Sequence, residues 1–274
     1  MNAAAANSLP IGVFDSGVGG LTVLKAVRDA LPHEHLVYLG DTARLPYGTK
    51  SPASIARYAS QATRQLQEQG IKLLVVACNT ASAVALDTLR AEMDPLPVIG
   101  VVEPGAEAAV AARPSGTHLV LATEATVRLQ AYRNAILARD PEAEVNDLAC
   151  ELLVSLAEEG WNHGPIAEAI VRRYLDQVDP EHRADSVILG CTHFPLLHDA
   201  IASALDARVS IVDSASTTAS AVGAELEVRE LANNHCKTGD LRLLATDGAT
   251  RFARVGGLFL GHSLTASDVQ IVDL

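Results

Sequence analysis

The sequence predicts an α/β protein of two similar lobes, each with a mainly parallel four-stranded sheet flanked by helices, the lobes being related by internal pseudo-symmetry. Three observations predict it. Short apolar runs alternate with longer amphipathic stretches, which is the pattern of βαβ units. The runs recur at a nearly constant offset: Ile11 and His118 are 107 residues apart, Cys78 and Cys191 are 113 apart, and Val98 and Arg208 are 110 apart. The third run of each set also ends alike, LLVVACNTA in one and SVILGCTHF in the other.

The elements follow in order. Strands are predicted near residues 11–14, 35–39, 72–77 and 98–101, and again near 118–122, 144–148, 186–189 and 208–212. Most of them are rich in Val, Ile and Leu, which suits strands of a parallel sheet covered by helices. Leu21, Leu24, Val27 and Leu31 recur on one helical face, so 21–31 reads as a helix. Residues 51–69 and 82–92 read similarly, and 165–178 carries Pro165 in its first turn, where the missing N–H costs nothing. The tail from about Ser214 breaks this rhythm: a helix near 219–231 leads into LRLLATDG and RFARVGG. The simplest arrangement returns the tail to the first lobe. Lobes are therefore expected at 1–104 with 215–274 and at 105–214, with crossings near Pro104 and Ser214.

Bulk composition narrows the partners. Hydrophobic residues make up 49% and aromatic ones 4%, so the core must be built from Ala, Val, Leu and Ile. A net charge of −12 argues against non-specific binding to nucleic acid or to an anionic membrane. It leaves room for a small anion held by backbone N–H groups at a helix N-terminus. No stretch approaches the ~20 apolar residues of a membrane span. The opening MNAAAANSLP lacks the basic start and apolar run of a secretory signal and is expected to be a disordered lead-in. Four cysteines, at 78, 150, 191 and 236, form no CxxC pair and no disulfide framework. Reduced thiols and a cytoplasmic location are the expectation.

Open parallel sheets bind ligands at the carboxyl ends of their strands. The candidates there are Asp15-Ser16-Gly17, Gly40-Asp41, Cys78-Asn79-Thr80, Thr123, Cys191-Thr192-His193 and Asp213-Ser214, a polar set with two thiols and hardly a cation. FDSGVGGLTVL allows a tight turn into a helix whose free N–H groups could hold a carboxylate, but it lacks the GxGxxG order of a dinucleotide site. Tyr47-Gly48 in DTARLPYGTKS could offer backbone N–H groups to a ligand or could simply end a turn.

A free Cys at a strand end is most often a small buried hydrophobe. Here two occupy equivalent ends of duplicated strands, each before a helix start, and a helix N-terminus lowers a thiol's pKa. Facing lobes would set Cys78 and Cys191 on opposite sides of one cleft, making that cleft the active site. This is the geometry for removing a proton from one face of a carbon and returning one to the other. Three rival uses exist. A zinc site from Cys78, Cys191 and His193 lacks a recurrent ligand spacing. A Cys–His nucleophile leaves one thiol idle, and a non-catalytic two-lobed binder needs neither thiol. Beside Cys191, His193 could exchange a proton near neutral pH. Cys150, Cys236 and the other histidines carry no functional inference.

With these residues in view the sequence resembles the glutamate racemases, of the aspartate/glutamate racemase family. FDSGVGG, GDTARLPYG, ACNTASA, GVVEPGA, GCTHFPLL and VDSA occur in that family's order across residues 11 to about 215. The resemblance implies a cofactor-independent enzyme that interconverts L- and D-glutamate by two-base proton transfer and supplies D-glutamate for peptidoglycan. Cys78 and Cys191 would be the acid/base pair, with Asp15 assisting Cys78 and with His193 and Glu158 assisting Cys191. Asp15, Ser16, Tyr47, Gly48, Asn79, Thr80, Thr123, Thr126, Thr192 and His193 would hold the substrate. No metal or other cofactor is implied, and a homodimer is the implied assembly. Two departures stand out. CELLVSLAEEG leaves either Glu158 or Glu159 as the assisting carboxylate, and VRLQAY has Gln130 where the family more often has a small residue. Some relatives need a cell-wall precursor as activator and carry a longer N-terminal extension. The roughly ten residues before Ile11 predict activity without one.

Overall fold

The protein is described from a computed structural model covering residues 6–179 and 184–274. Its strands form two sheets in which every described pairing is parallel. The chain runs β1 (Ile11–Asp15), α1 (Leu21–Ala30), β2 (Leu36–Gly40), α2 (Pro52–Glu68), β3 (Leu73–Val76), α3 (Asn79–Met93), β4 (Val98–Gly100) and α4 (Val102–Ala112). It continues through β5 (Thr117–Ala122), α5 (Glu124–Arg128), α6 (Ala131–Leu137), β6 (Glu144–Ala149), α7 (Glu151–Glu159) and α8 (Pro165–Leu175). Then come β7 (Ser186–Gly190), α9 (His198–Ser203), β8 (Ser210–Asp213), α10 (Ser214–Val228), β9 (Leu241–Ala245), α11 (Ala249–Leu260) and β10 (Val269–Ile271).

The second sheet is ordered β6-β5-β7-β8 and the first β10-β9-β2-β1-β3-β4. Strands β2-β1-β3-β4 therefore repeat the order of β6-β5-β7-β8, as the sequence duplication predicts. In each sheet the order reverses between the first and third strands, β1/β3 and β5/β7. Ligands of open α/β sheets bind at such a reversal. The expectation of four strands in the first sheet is corrected to six. Leu241–Ala245 pairs along the outer edge of β2, and Val269–Ile271 pairs with β9. These tail strands cover an edge that the second sheet leaves to β6.

Helix boundaries differ from the expected ones by up to five residues. Ser51 caps α2 by accepting Ser54 N–H, close to the expected start. Helix α3 begins three residues before the expected 82, because the Cys78 sulfur accepts Ala81 N–H and serves as the cap. Asp213 accepts Ala215 and Ser216 N–H, so α10 starts at Ser214 rather than 219. Helix α8 stops at Leu175 instead of 178. One apolar core joins the inner faces of both sheets, from Ile11 and Val13 through Val187 and Leu189 to Phe259 on α11.

Two expectations fail in the interior. The histidines other than His193 are expected to lie in polar stretches, but His118 is fully buried on β5, with Nδ1 2.7 Å from Ser186 Oγ and Nε2 lacking any partner. The expected disordered lead-in falls partly on residues 1–5, which lie outside the described residues. Its later part is tied down. Buried Lys72 donates to Asn7 C=O at 2.6 Å and to Leu231 C=O at 2.7 Å, while pairing with Glu34 at 2.5 Å.

Candidate active site

Asp15 ends β1 and Cys78 follows β3, so the strand reversal sets both at one crevice. Asp15 is buried, and its Oδ2 accepts Gly17 N–H at 2.8 Å and the Tyr38 hydroxyl at 3.4 Å. Burial lifts its carboxyl above the usual range against the opposing pull of the His193 charge and of backbone N–H groups. The Cys78 thiol donates to Ser16 Oγ at 3.4 Å, and its sulfur accepts Ala81 N–H at 3.4 Å. The lowering expected from the helix N-terminus is overridden. Burial, then the Asp15 charge, push Cys78 up to about 12 despite those hydrogen bonds. Cys78 is therefore protonated at neutral pH.

The second sheet supplies the opposite polarity. Cys191 follows β7, and its sulfur lies 3.7 Å from His193 Nδ1. His193 Nε2 donates to Glu158 Oε1 at 3.2 Å, and Phe259 packs edge-on against the ring with centroids 5.2 Å apart. Burial disfavours the imidazolium, but hydrogen bonds and charges from Cys191 and Glu158 outweigh it and raise His193 to about 10. Glu158 is held below the usual carboxylate range, by the His193 hydrogen bond first and by Arg251 as well. Arg251 donates to Glu158 Oε2 at 2.6 Å. Of the two glutamates, Glu158 reaches His193 while Glu159 is exposed. One thiol thus has a carboxyl beside it and the other an imidazolium.

The segment after β1 touches the one after β7. A Cβ at Gly19 would stand 2.4 Å from both Thr192 Oγ1 and His193 Cε1, so only glycine fits there. Thr22 Oγ1 donates to Thr192 C=O at 2.8 Å. Across the cleft, Thr80 Oγ1 is 3.3 Å from Thr123 Oγ1 and 3.5 Å from Thr126 Oγ1. Asn79 Oδ1 accepts the Tyr132 hydroxyl at 2.8 Å, which leaves its buried Nδ2 without a protein partner. Ser16, Asn79, Thr80, Thr123, Thr126 and Thr192 thus bring donors from both sheets to one zone. Tyr47 contributes differently: its phenol is buried and donates to Asp41 Oδ2 at 2.6 Å, so only its backbone is left for a ligand. Gly48 next to it faces open space.

Sequence reasoning missed Tyr38, Tyr132 and Arg251. Tyr38 sits mid-strand on β2 and reads as core; Arg251 lies in the tail, 93 residues from Glu158. Tyr132 lies two residues after Gln130, and that departure has a structural counterpart. Gln130 adopts φ 51°, ψ 31°, a left-handed conformation natural to glycine, which accounts for a small residue there. Among the described residues no group of three or more His, Cys, Asp or Glu is placed to hold a metal ion. None of their helices is long and apolar enough to cross a membrane. A hollow of about 730 Å³ opens elsewhere, beside Arg113, Asp185 and Arg208 at the amino end of the second sheet, away from the thiols.

Two parallel sheets with a thiol at each strand reversal define a two-lobed α/β racemase architecture. Residues 21–222 match the family described as Asp/Glu/Hydantoin racemase. A glutamate racemase of Geobacter metallireducens is 47% identical over 264 residues, covering 96% of each chain. The crystal structure of glutamate racemase from Francisella tularensis in complex with D-glutamate has a TM-score of 0.89 at 37% identity, over 97% of this chain and 98% of that one. The Thermus thermophilus glutamate racemase, solved in complex with β-chloro-D-alanine, has a TM-score of 0.87 at 40% identity, over 98% of both chains. The chain belongs to this family, on its glutamate racemase branch, and is an amino-acid racemase, an isomerase.

Proposed function

We propose that this protein interconverts L- and D-glutamate by a two-base mechanism run by Cys78 and Cys191, without a cofactor. The observation that supports the reading is a thiol at each strand reversal in unlike surroundings: Cys78 near the Asp15 carboxyl, which favours its thiol form, and Cys191 3.7 Å from the His193 ring. Cys191 sulfur takes the α-proton, forming an S–H bond, and the C–H electron pair moves into the substrate carboxylate. The Cys78 S–H then gives its proton to the opposite face of the carbon and is left as thiolate. The reverse direction exchanges these roles. Asn79 Nδ2 holds the carboxylate in substrate and transition state alike, while the threonine hydroxyls and N–H groups at the start of α3 stabilise the charge that builds on it. Glu158 helps to keep His193 charged, and His193 stands 3.7 Å from the Cys191 sulfur.

Both thiols are only 6% exposed, so the substrate enters when the lobes part and reacts when they close and exclude water. We take the moving bodies to be residues 1–104 with 215–274, and 105–214. The same reading makes the protein a cytoplasmic source of D-glutamate for peptidoglycan and a homodimer. The test is to incubate the purified chain with each enantiomer in D₂O, following the α-proton by NMR and the optical rotation. Exchange from both enantiomers with rotation decaying to zero, and its loss in Cys78→Ser and Cys191→Ser, supports the mechanism. Glutamate that binds without exchange refutes it.

A further inference from the structure

We propose that Tyr132 is the positioning residue that fixes the Asn79 side-chain amide, so that Nδ2 is presented as a donor to the α-carboxylate of the substrate. This inference rests on the glutamate-racemase reading. Asn79 is the first residue of α3, directly after Cys78, and Tyr132 lies on α6 in the other half of the cleft. The Tyr132 hydroxyl donates to Asn79 Oδ1 at 2.8 Å, while Asn79 Nδ2 is buried with no protein acceptor. A buried N–H left unmet is costly unless a ligand meets it. An amide turned the other way would aim Oδ1 at the carboxylate and repel it. Burial pushes the phenol's pKa far up, so Tyr132 stays a neutral phenol whose O–H is available to hold Oδ1.

The ring itself has no room to withdraw. A Cβ at Gly105 would stand 3.1 Å from Tyr132 Cε1, and one at Gly190 would stand 3.0 Å from Cε2. Gly105 is on α4, and Gly190 is the last residue of β7, directly before Cys191. Tyr132 is thus wedged against the residue preceding one thiol and hydrogen-bonded to the residue following the other. It transmits the placement of the second sheet to the substrate-binding amide of the first.

The experiment is a double-mutant cycle on the full-length protein with Tyr132→Phe, Asn79→Ala and the pair. Tyr132→Phe keeps the ring between its two glycines and removes only the hydroxyl. KM for both enantiomers is expected to rise about fivefold, with kcat within about twofold, which is the size of one lost orienting hydrogen bond. The melting temperature stays within about two degrees. In the Asn79→Ala background the same change adds nothing, because the group it orients is gone. An unchanged KM in Tyr132→Phe, or losses that multiply in the double variant, overturns the proposal. If the wild-type protein fails to racemise glutamate, the functional reading falls by itself. The same cycle read as glutamate affinity by calorimetry then still decides whether Tyr132 acts through Asn79, and no binding of glutamate at all overturns both.

Discussion

Arg251 stands on helix α11 and reaches Glu158 on α7, and the carboxylate in turn holds His193 beside Cys191. Replacing Arg251 with Met keeps much of the side-chain stem and removes the charge. The Arg251 side chain is 51% exposed and that of Glu158 20%, so water screens much of their attraction. Such a pair is worth up to about 1 kcal/mol. If that energy serves to keep the Glu158–His193 pair charged during turnover, its loss costs about fivefold in rate. The assay is the decay of optical rotation from each enantiomer between pH 5 and 9, at low and high salt. L- and D-glutamate are equal in free energy, so kcat/KM must fall by the same factor in both directions, about fivefold. Arg251 helps to hold the Glu158 carboxyl below its ordinary value, so its removal moves the acid limb of the rate profile to higher pH. Added salt slows the native enzyme by screening the pair and leaves Arg251→Met unaffected. Arg251→Lys recovers most of the rate. An unmoved acid limb together with equal salt sensitivity in the native protein and Arg251→Met would refute the reasoning.

Two further outcomes concern stability. His118 is fully buried, and burial lowers its pKa despite the opposing charges of Asp140 and Asp185. The folded protein holds this imidazole neutral while the unfolded chain protonates it near pH 6.5, so its contribution is intact above about 6.5 and lost as pH falls below that. The melting temperature should therefore drop between pH 7 and 5.5, and drop less in His118→Asn, as read by calorimetry. Gln130 is in the left-handed region, where a side chain costs roughly 1 kcal/mol, so Gln130→Gly should raise the melting temperature by one to a few degrees, about the size of that relieved strain.

Legibility in the sequence followed locality. Most predicted strands were apolar runs, 144–148 (EVNDL) being the most polar, and all eight formed within two residues of their expected bounds. Cys78, Cys191, Asp15 and His193 stand at or just after strand ends, as periodicity located them, and ligands of open parallel sheets bind at such ends. The duplicated offset located the second sheet from the first. What escaped detection depends on burial or on distant partners. Nothing in ACNTASA reveals that burial and Asp15 drive the Cys78 thiol upward, because that requires knowing what packs around it. Arg251 lies in a stretch with no motif, and its partner is visible only once α11 lies against α7. Tyr132 shares its helix with ordinary core residues, and its hydroxyl has meaning only through Asn79, 53 positions earlier. His118 shows how one polar residue inside an apolar run can be buried whole when a neighbouring strand supplies Ser186.

The strand order also imposes a timetable on synthesis. The second sheet is built from one unbroken stretch, Thr117 to Asp213, and can close as soon as that stretch leaves the ribosome. The first cannot, because the outer edge of β2 pairs only with β9, whose last residue is Ala245. Roughly 200 residues separate the two, which at about 5–20 residues per second is on the order of 10–40 s with a bare strand edge exposed to stray pairing. The segment that ends this interval also brings Arg251 and Phe259 to the Cys191 side of the cleft. A chain interrupted before that point would carry both thiols and still lack the surroundings of His193.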